Sequence, residues 1–487
     1  MPNTLIQIKE GVTRHPDYRL ASPLNFELVE GESVAICGPN GGGKSLFVDV
    51  LTGAHPLLGD SIKYNFGTED NKAATNVRLV TFRDVYGGNE PAYYQQRWNQ
   101  ADEQVFPTVD EVLKQAYRAW NKSDEEPQEY PNQSLLNELG IFEHIEKPIN
   151  LLSSGELRRM QLAKMLMSSP KILIVDNPYI GLDKEARAML TRVLEKLAKS
   201  ITLVLVVSRE DDIPLFIERV VWVEDKEIKS VMKTEEFRKS PHASNHSEAT
   251  SNLVLPSIEN HGCRKEESVI DFRNIHIQYG KRTILHQLNW NVKRGEHWAL
   301  MGENGAGKST LLSLVCADNP QAYACDIRLF GYKRGQGESI WEIKKHIGYV
   351  SPEIFSTYRR PLPAIDIVAS GMHDTIGLYK RPTPEERSIC LEWMKAFGAD
   401  HLSERNYMQL STGEQRLVLL VRAFVKSPDL LILDEPFHGL DNHYRLRAQA
   451  LIDLYMQDPS KALIMVTHYE EELPHCIDHE LRLKKNV

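Results

Sequence analysis

Two octapeptides, "GPNGGGKS" from Gly38 to Ser45 and "GENGAGKS" from Gly302 to Ser309, share the pattern G-x-x-x-x-G-K-[ST]. Glycines at these places let successive backbone N–H groups curl around phosphate oxygens, and a following helix adds partial positive charge. Lys44 and Lys308 are placed to reach the β- and γ-phosphates, while the Ser45 and Ser309 hydroxyls are candidate Mg²⁺ ligands. Each octapeptide follows a short apolar run, "SVAIC" or "HWALM", and precedes a helix-like run, "LFVDVL" or "TLLSLV". That strand–loop–helix context is what the motif requires. The candidate nucleotide-binding residues are therefore Gly38, Asn40, Gly41, Gly43, Lys44 and Ser45 in one copy. In the other they are Gly302, Asn304, Gly305, Gly307, Lys308, Ser309 and Thr310.

Further along, "ILIVDNPYIGLD" (Ile172 to Asp183) and "LILDEPFHGLD" (Leu431 to Asp441) nearly match. Both are apolar runs ending in an acid, which predicts buried strands that deliver Asp176 and Asp434 to Mg²⁺. The next residue differs: Asn177 in one copy, Glu435 in the other. A carboxylate can orient a water and accept its proton, whereas an amide is a very poor base.

These motifs belong to an internal duplication. Lys44 and Lys308 are 264 residues apart, Ser153 and Ser411 258, Asp176 and Asp434 258, and Arg209 and His468 259. Tyr279 aligns with His15, each 29 positions before its lysine. Tyr279 is suited to stacking on a nucleotide base; His15 is a poorer platform and equally a surface-loop histidine. The expected organisation is a first domain over 1–232, a polar linker over 233–268 and a second domain over 269–487. The linker is rich in Ser, Asn, His, Glu and Lys, and is read as partly disordered. The second domain restarts at "VIDFRNIHIQY", which alternates like a half-buried strand.

Composition narrows the class. The chain has 487 residues, 41% hydrophobic and 26% charged, with a net charge of -9. These are values of an ordinary globular protein, and an acidic balance gives no strong nucleic-acid signal. Six cysteines fit no zinc spacing and read as free thiols in a reducing cytosol. No signal peptide and no run of about 18 apolar residues is evident, so no direct membrane insertion is expected.

The motifs "LSSGE" (Leu152 to Glu156) and "LSTGE" (Leu410 to Glu414) resemble the signature of ABC-type ATPases, and the order of all the motifs is that family's order. More narrowly, "RTILHQLNWNVKRGEHWALMGENGAGKSTLLSLV" and "GESIWEIKKHIGYVS" are similar to the duplicated, soluble ABC ATPases of bacterial molybdate-uptake loci, also called photorepair proteins. The resemblance implies an α/β fold: two P-loop NTPase domains in tandem, each with a RecA-like core, an antiparallel β layer and a helical lobe. The lobes are expected over Thr108–Ser168 and Pro361–Val425. It also implies ATP and Mg²⁺ as cofactors, and halves that pair intramolecularly, head to tail. Each phosphate loop would then meet the other half's signature: Ser411, Gly413 and Glu414 for the first, Ser153, Gly155 and Glu156 for the second. Glu435 and His468 match the family's catalytic glutamate and γ-phosphate histidine; Asn177 and Arg209 depart from them. One hydrolytic and one mainly structural ATP site are expected, against the alternative that Asn177 is a tolerated variant and both sites turn over slowly.

The family glutamine that binds Mg²⁺ and links to transporter partners has no match in "LVTFRDVYG" or "YVSPEIF", where Glu353 or Asp84 are the nearest substitutes. The functions implied are the energising subunit of an importer such as molybdate uptake, cytoplasmic at the inner face of the cell membrane with a separate permease, or a soluble ATPase acting in DNA repair or on ribosomes. A non-hydrolytic switch is disfavoured by Glu435 and His468.

Overall fold

The computed structural model describes residues 3–67, 70–82, 106–121, 125, 127, 129–152, 154–240, 253–256, 267–280, 282–303, 305–375 and 381–485. Ser153, Asn304, Asp84 and most of the expected linker lie outside them. The chain forms two compact units, Met1–Ser244 and Asn245–Val487.

In the first unit, strands β1 (Thr4–Gly11), β2 (Leu24–Val29) and β4 (Ile62–Tyr64) make a three-stranded antiparallel sheet. A second sheet takes β3 (Ser33–Cys37), β5 (Val77–Thr81), β6 (Ile172–Asp176), β7 (Thr202–Val207), β8 (Arg219–Glu224) and β9 (Glu227–Lys233) in the order β5-β6-β7-β3-β8-β9. All its neighbours are parallel except β8 and β9.

The runs "SVAIC", "ILIV" and "TLVLVV" are apolar throughout because both faces of this sheet are covered, as a parallel sheet requires. Val34, Ile36, Ile172, Ile174, Val204 and Val206 face the antiparallel layer and the helix Lys44–Leu51. The alternating residues Ala35, Cys37, Leu173, Val175, Leu203 and Leu205 face the helices Val109–Asn121, Ser154–Leu166 and Lys184–Ala198. The first two of these helices form the helical lobe between β5 and β6.

The second unit repeats the plan. Strands β10 (Ser268–Tyr279), β11 (Arg282–Lys293), β13 (Asp326–Leu329) and β14 (Tyr332–Lys333) form the antiparallel layer. Strands β12 (His297–Gly302), β15 (Ile347–Val350), β16 (Leu430–Asp434), β17 (Ala462–Val466) and β18 (His479–Leu483) form a parallel sheet in the order β15-β16-β17-β12-β18. The alternation expected of β10 holds until Asn274, whose φ of 51° accompanies a bulge between Phe272 and Ile275. Helices Ala364–Ala369, Pro384–Ala396 and Thr412–Phe424 make its lobe.

The expected end of the first domain at residue 232 is too early. Strand β9 runs to Lys233, and Thr234–Phe237 form a helical turn whose Phe237 is 2% exposed and sits 5.8 Å from the Trp222 ring. The polar composition of this stretch hid one apolar anchor. Replacing Phe237 with alanine should destabilise the first unit by about 3–5 kcal/mol, visible as an earlier first transition in urea unfolding. An unmoved transition would return Thr234–Phe237 to the linker.

Candidate nucleotide site

The parallel strands of each unit leave their C-terminal ends on one edge, and the loops there carry the expected residues. Gly38 (φ 151°) and Gly302 (φ 145°) leave β3 and β12 in a conformation open to glycine. A Cβ on Gly38 would lie 2.0 Å from the Val223 carbonyl oxygen, and one on Gly302 2.6 Å from that of Leu483. The helices that follow begin at the lysines, with left-handed Gly43 and Gly307 as N-caps that offer no side-chain acceptor. Their first N–H groups are thus left to an anion.

Lys44 Nζ donates to the carbonyls of Gly38 (2.6 Å) and Pro39 (2.8 Å), and Lys308 Nζ to those of Gly302 (2.5 Å) and Glu303 (3.2 Å). Each ammonium is thereby held across the mouth of its own loop. Ser45 and Ser309 are exposed and Thr310 is buried. Tyr279, at the end of β10, is half-buried, and its hydroxyl accepts from Asn319 (3.0 Å). His15 occupies a different setting: it is exposed, beyond the end of β1, where its Nδ1 accepts from the Asp17 N–H. Nearby, Tyr18 stacks on His55 at 4.1 Å, an aromatic pair that the sequence did not single out.

The acid strands agree closely. Asn177 and Glu435 both adopt φ 51°, and each backbone N–H reaches across to the neighbouring strand, to Val206 (2.8 Å) and Val466 (2.9 Å). Asparagine tolerates this left-handed geometry, while for glutamate it costs about 1–2 kcal/mol. The side chains then diverge. Asn177 Nδ2 donates to Asp176 Oδ1 at 2.9 Å. Glu435 is buried, with Oε2 2.8 Å from His438 Nε2 and Oε1 3.4 Å from His468 Nε2.

Burial alone would raise the Glu435 carboxyl; the close imidazole of His438, then His468 and Lys308, outweigh it and hold it below its ordinary value. Asp434 is pushed well above that range, first by burial and then by the charges of Glu353 and Glu435, with Lys308 opposing. Asp434 and Ser309 carry oxygen donors of the kind Mg²⁺ prefers, while among the described residues no three His, Cys, Asp or Glu side chains are grouped so as to hold a metal ion by themselves. Arg416 lies within reach of the Glu435 charge, stacks 4.6 Å over the Phe355 ring, and is lowered to about 10 by burial.

The switch position needs a correction. The sheet pairs Asp434 with Val466 and Asp176 with Val206, so His468, two residues past Val466, corresponds to Ser208 and not to Arg209. The short helices Glu210–Asp212 and Glu470–Glu472 agree, because their preceding residues are Arg209 and Tyr469. The first unit therefore presents a hydroxyl, not a guanidinium, at the histidine's place.

At the signatures, Ser411 Oγ accepts from the Glu414 N–H (3.3 Å) and Glu414 accepts from the Ser411 N–H (2.7 Å), a capping box that opens Thr412–Phe424 with Gly413 buried in its first turn. Glu414 also meets Arg405 at 3.1 Å. Gly155 and Glu156 open the matching helix, where Glu156 pairs with Lys147 (2.8 Å) and lies 3.5 Å from His144.

Phosphate loops, signature helices and acid strands, set on two copies of one α/β plan, define an ABC-type ATPase built from tandem domains. The family model described as ABC transporter matches residues 21–180 and 285–438, and the chain belongs to that family, whose members hydrolyse ATP. It is 34% identical to the ABC transporter ATP-binding protein ModF of Escherichia coli (strain K12), over 98% of this chain and 96% of the relative. It is 30% identical to an uncharacterized ABC transporter ATP-binding protein of Schizosaccharomyces pombe, over 96% and 95%. The archaeal ribosome recycling factor aABCE1 shares the fold, with a TM-score of 0.53 and 20% identity over 97% of this chain and 87% of that one. No helix among the described residues is long and apolar enough to cross a membrane.

With two built phosphate loops, the chain should bind two molecules of a slowly hydrolysed ATP analogue in equilibrium dialysis. Lys44→Ala or Lys308→Ala should each weaken one of them by about 10–100-fold, the worth of a charge-assisted hydrogen bond to phosphate. Retention of both at wild-type affinity would remove the lysines from the site.

Proposed function

We propose that this protein hydrolyses ATP in its second unit, holds ATP in its first, and serves as the energising subunit of an importer whose membrane-spanning part is a separate permease. The observation that carries the asymmetry is the contrast between Glu435, buried with His438 and His468 around its carboxylate, and Asn177, whose amide is turned onto Asp176.

In this reading a water attacks the γ-phosphorus, its proton passes to Glu435, and the bond to the ADP oxygen breaks. Glu435 suits the task because its partners keep it ionised despite burial. Lys308 balances phosphate charge, and His468 faces the same carboxylate from the end of β17. Mg²⁺, held by Ser309 and Asp434, would neutralise charge on the phosphate oxygens. In the first unit, Ser45 and Asp176 would hold the ion, and Asn177 and Ser208 stand where the second unit has its carboxylate and imidazole, so ATP there would be retained. An ATP lodged in the first unit would stabilise the chain by mass action rather than by turnover.

The importer role rests on the similarity to ABC transporter ATP-binding proteins over nearly the whole chain. The molybdate-uptake group is the one whose sequence the second half resembles. Two experiments test these statements. Steady-state turnover of Glu435→Gln should fall by about 10²–10⁴-fold, the worth of a general base, whereas Asn177→Ala should keep most of the activity; the reverse pattern would exchange the roles of the units. Affinity purification of the full chain from native membranes should recover a polytopic permease. Recovery of ribosomes or nucleic acid in its place would overturn the importer role.

A further inference from the structure

His438 stands in the loop between β16 and the helix Asn442–Tyr455, and no motif of the sequence assigned it a task. The loop turns sharply. Glu435 is left-handed, the His438 N–H closes back on the Glu435 carbonyl at 3.4 Å, and Gly439 has φ 73°. This turn sets the imidazole beneath the carboxylate, with Nε2 2.8 Å from Oε2, and both side chains are nearly sealed from solvent, at 5% and 8% exposed.

The first unit makes the same turn: Ile180 N–H points to the Asn177 carbonyl at 3.5 Å. There, however, the side chain is Ile180, which has nothing to donate. Imidazole and carboxylate thus occur together in one unit, and isoleucine and amide together in the other, on one backbone. A partner to the carboxylate is needed only where a carboxylate is buried, since burying an ionised group without a hydrogen bond is costly.

We propose that His438 is a positioning residue for ATP hydrolysis: its Nε2 pins Oε2 of Glu435, fixing the carboxylate so that Oε1 is the oxygen presented toward His468 and the attacking water. The inference rests on the reading of Glu435 as the general base. In this role His438 acts through Glu435, by removing the freedom of a carboxylate that would otherwise swing about its last torsion. Misplacing a reacting group by about 1 Å costs on the order of 10²-fold in rate.

The test compares two substitutions of matched length and bulk, His438→Gln and His438→Met. The glutamine amide can donate to Oε2 and the thioether cannot. The expected result is a kcat for His438→Met at least about tenfold below that of His438→Gln, with the KM for ATP and the affinity for a slowly hydrolysed analogue alike in the two. Equal kcat values, at any level, would overturn the inference, as would a difference that appears in KM alone. Thermal denaturation of both variants guards against a folding effect: a loss of kcat that follows loss of folded protein counts against positioning. Glu435→Gln separates the two ideas. If that single variant keeps wild-type turnover, the reading of Glu435 as base fails. If it is inactive while His438→Gln and His438→Met turn over equally, only the role of His438 fails.

Discussion

Parallel strands end together. Each unit of this protein has five of them among its described residues, and at their C-terminal edge loops from distant parts of the chain meet. The phosphate loop leaves β12 there, the acid pair leaves β16, and the strand between them, β17, delivers His468. Everything the site does follows from that shared edge, because residues more than a hundred positions apart are set side by side by the hydrogen-bond ladder. The covering layers bury both faces of the sheet, and the expected phosphate-loop, acid and switch residues gather at this edge.

The second constraint is electrostatic. In the second unit three acids, Asp434, Glu435 and Glu353, influence one another in a buried setting, and the molecule answers with Lys308, His438, His468 and Arg416. The compensation differs between neighbours: Glu435 has imidazoles and stays ionised, whereas Asp434 has only Lys308 and is raised. That division fits one carboxylate for a proton and one for a divalent cation. In the first unit Asp176 and Asn177 are partly exposed and bonded to each other, so the same backbone carries a milder charge problem.

Much of this was legible in the sequence. The phosphate loops, the acid strands and the duplication are written as local patterns, because a glycine-rich turn or a strand buried on both faces imposes its composition on a few consecutive residues; the layered α/β plan followed from the family resemblance those motifs carry. The helical lobes over Thr108–Ser168 and Pro361–Val425 were expected from the family resemblance, and helices fill both spans. What failed was alignment through featureless stretches. "LVLVVS" and "LIMVTH" are apolar almost throughout, so a slip of one residue leaves the pattern looking intact while exchanging Arg209 for Ser208 opposite His468. A slip of one residue turns every side chain to the other face of a strand, and only the ladder of hydrogen bonds fixes which register is real. Phe237 was missed for the opposite reason: one apolar residue in a polar stretch carries no periodic signal.

By itself, then, the sequence determined which chemistry is available: two phosphate-binding loops, two acids for a cation, one candidate base and one amide in its place. Those are properties of residue type and short spacing, which are local to the chain. The tertiary structure decided the partners. That His438 meets Glu435, that Ser208 stands in the first unit where His468 stands in the second, and that Phe237 packs on the first unit depend on where a turn folds back or a strand registers. Such contacts are set by packing between segments, and no local pattern of amino acids encodes them.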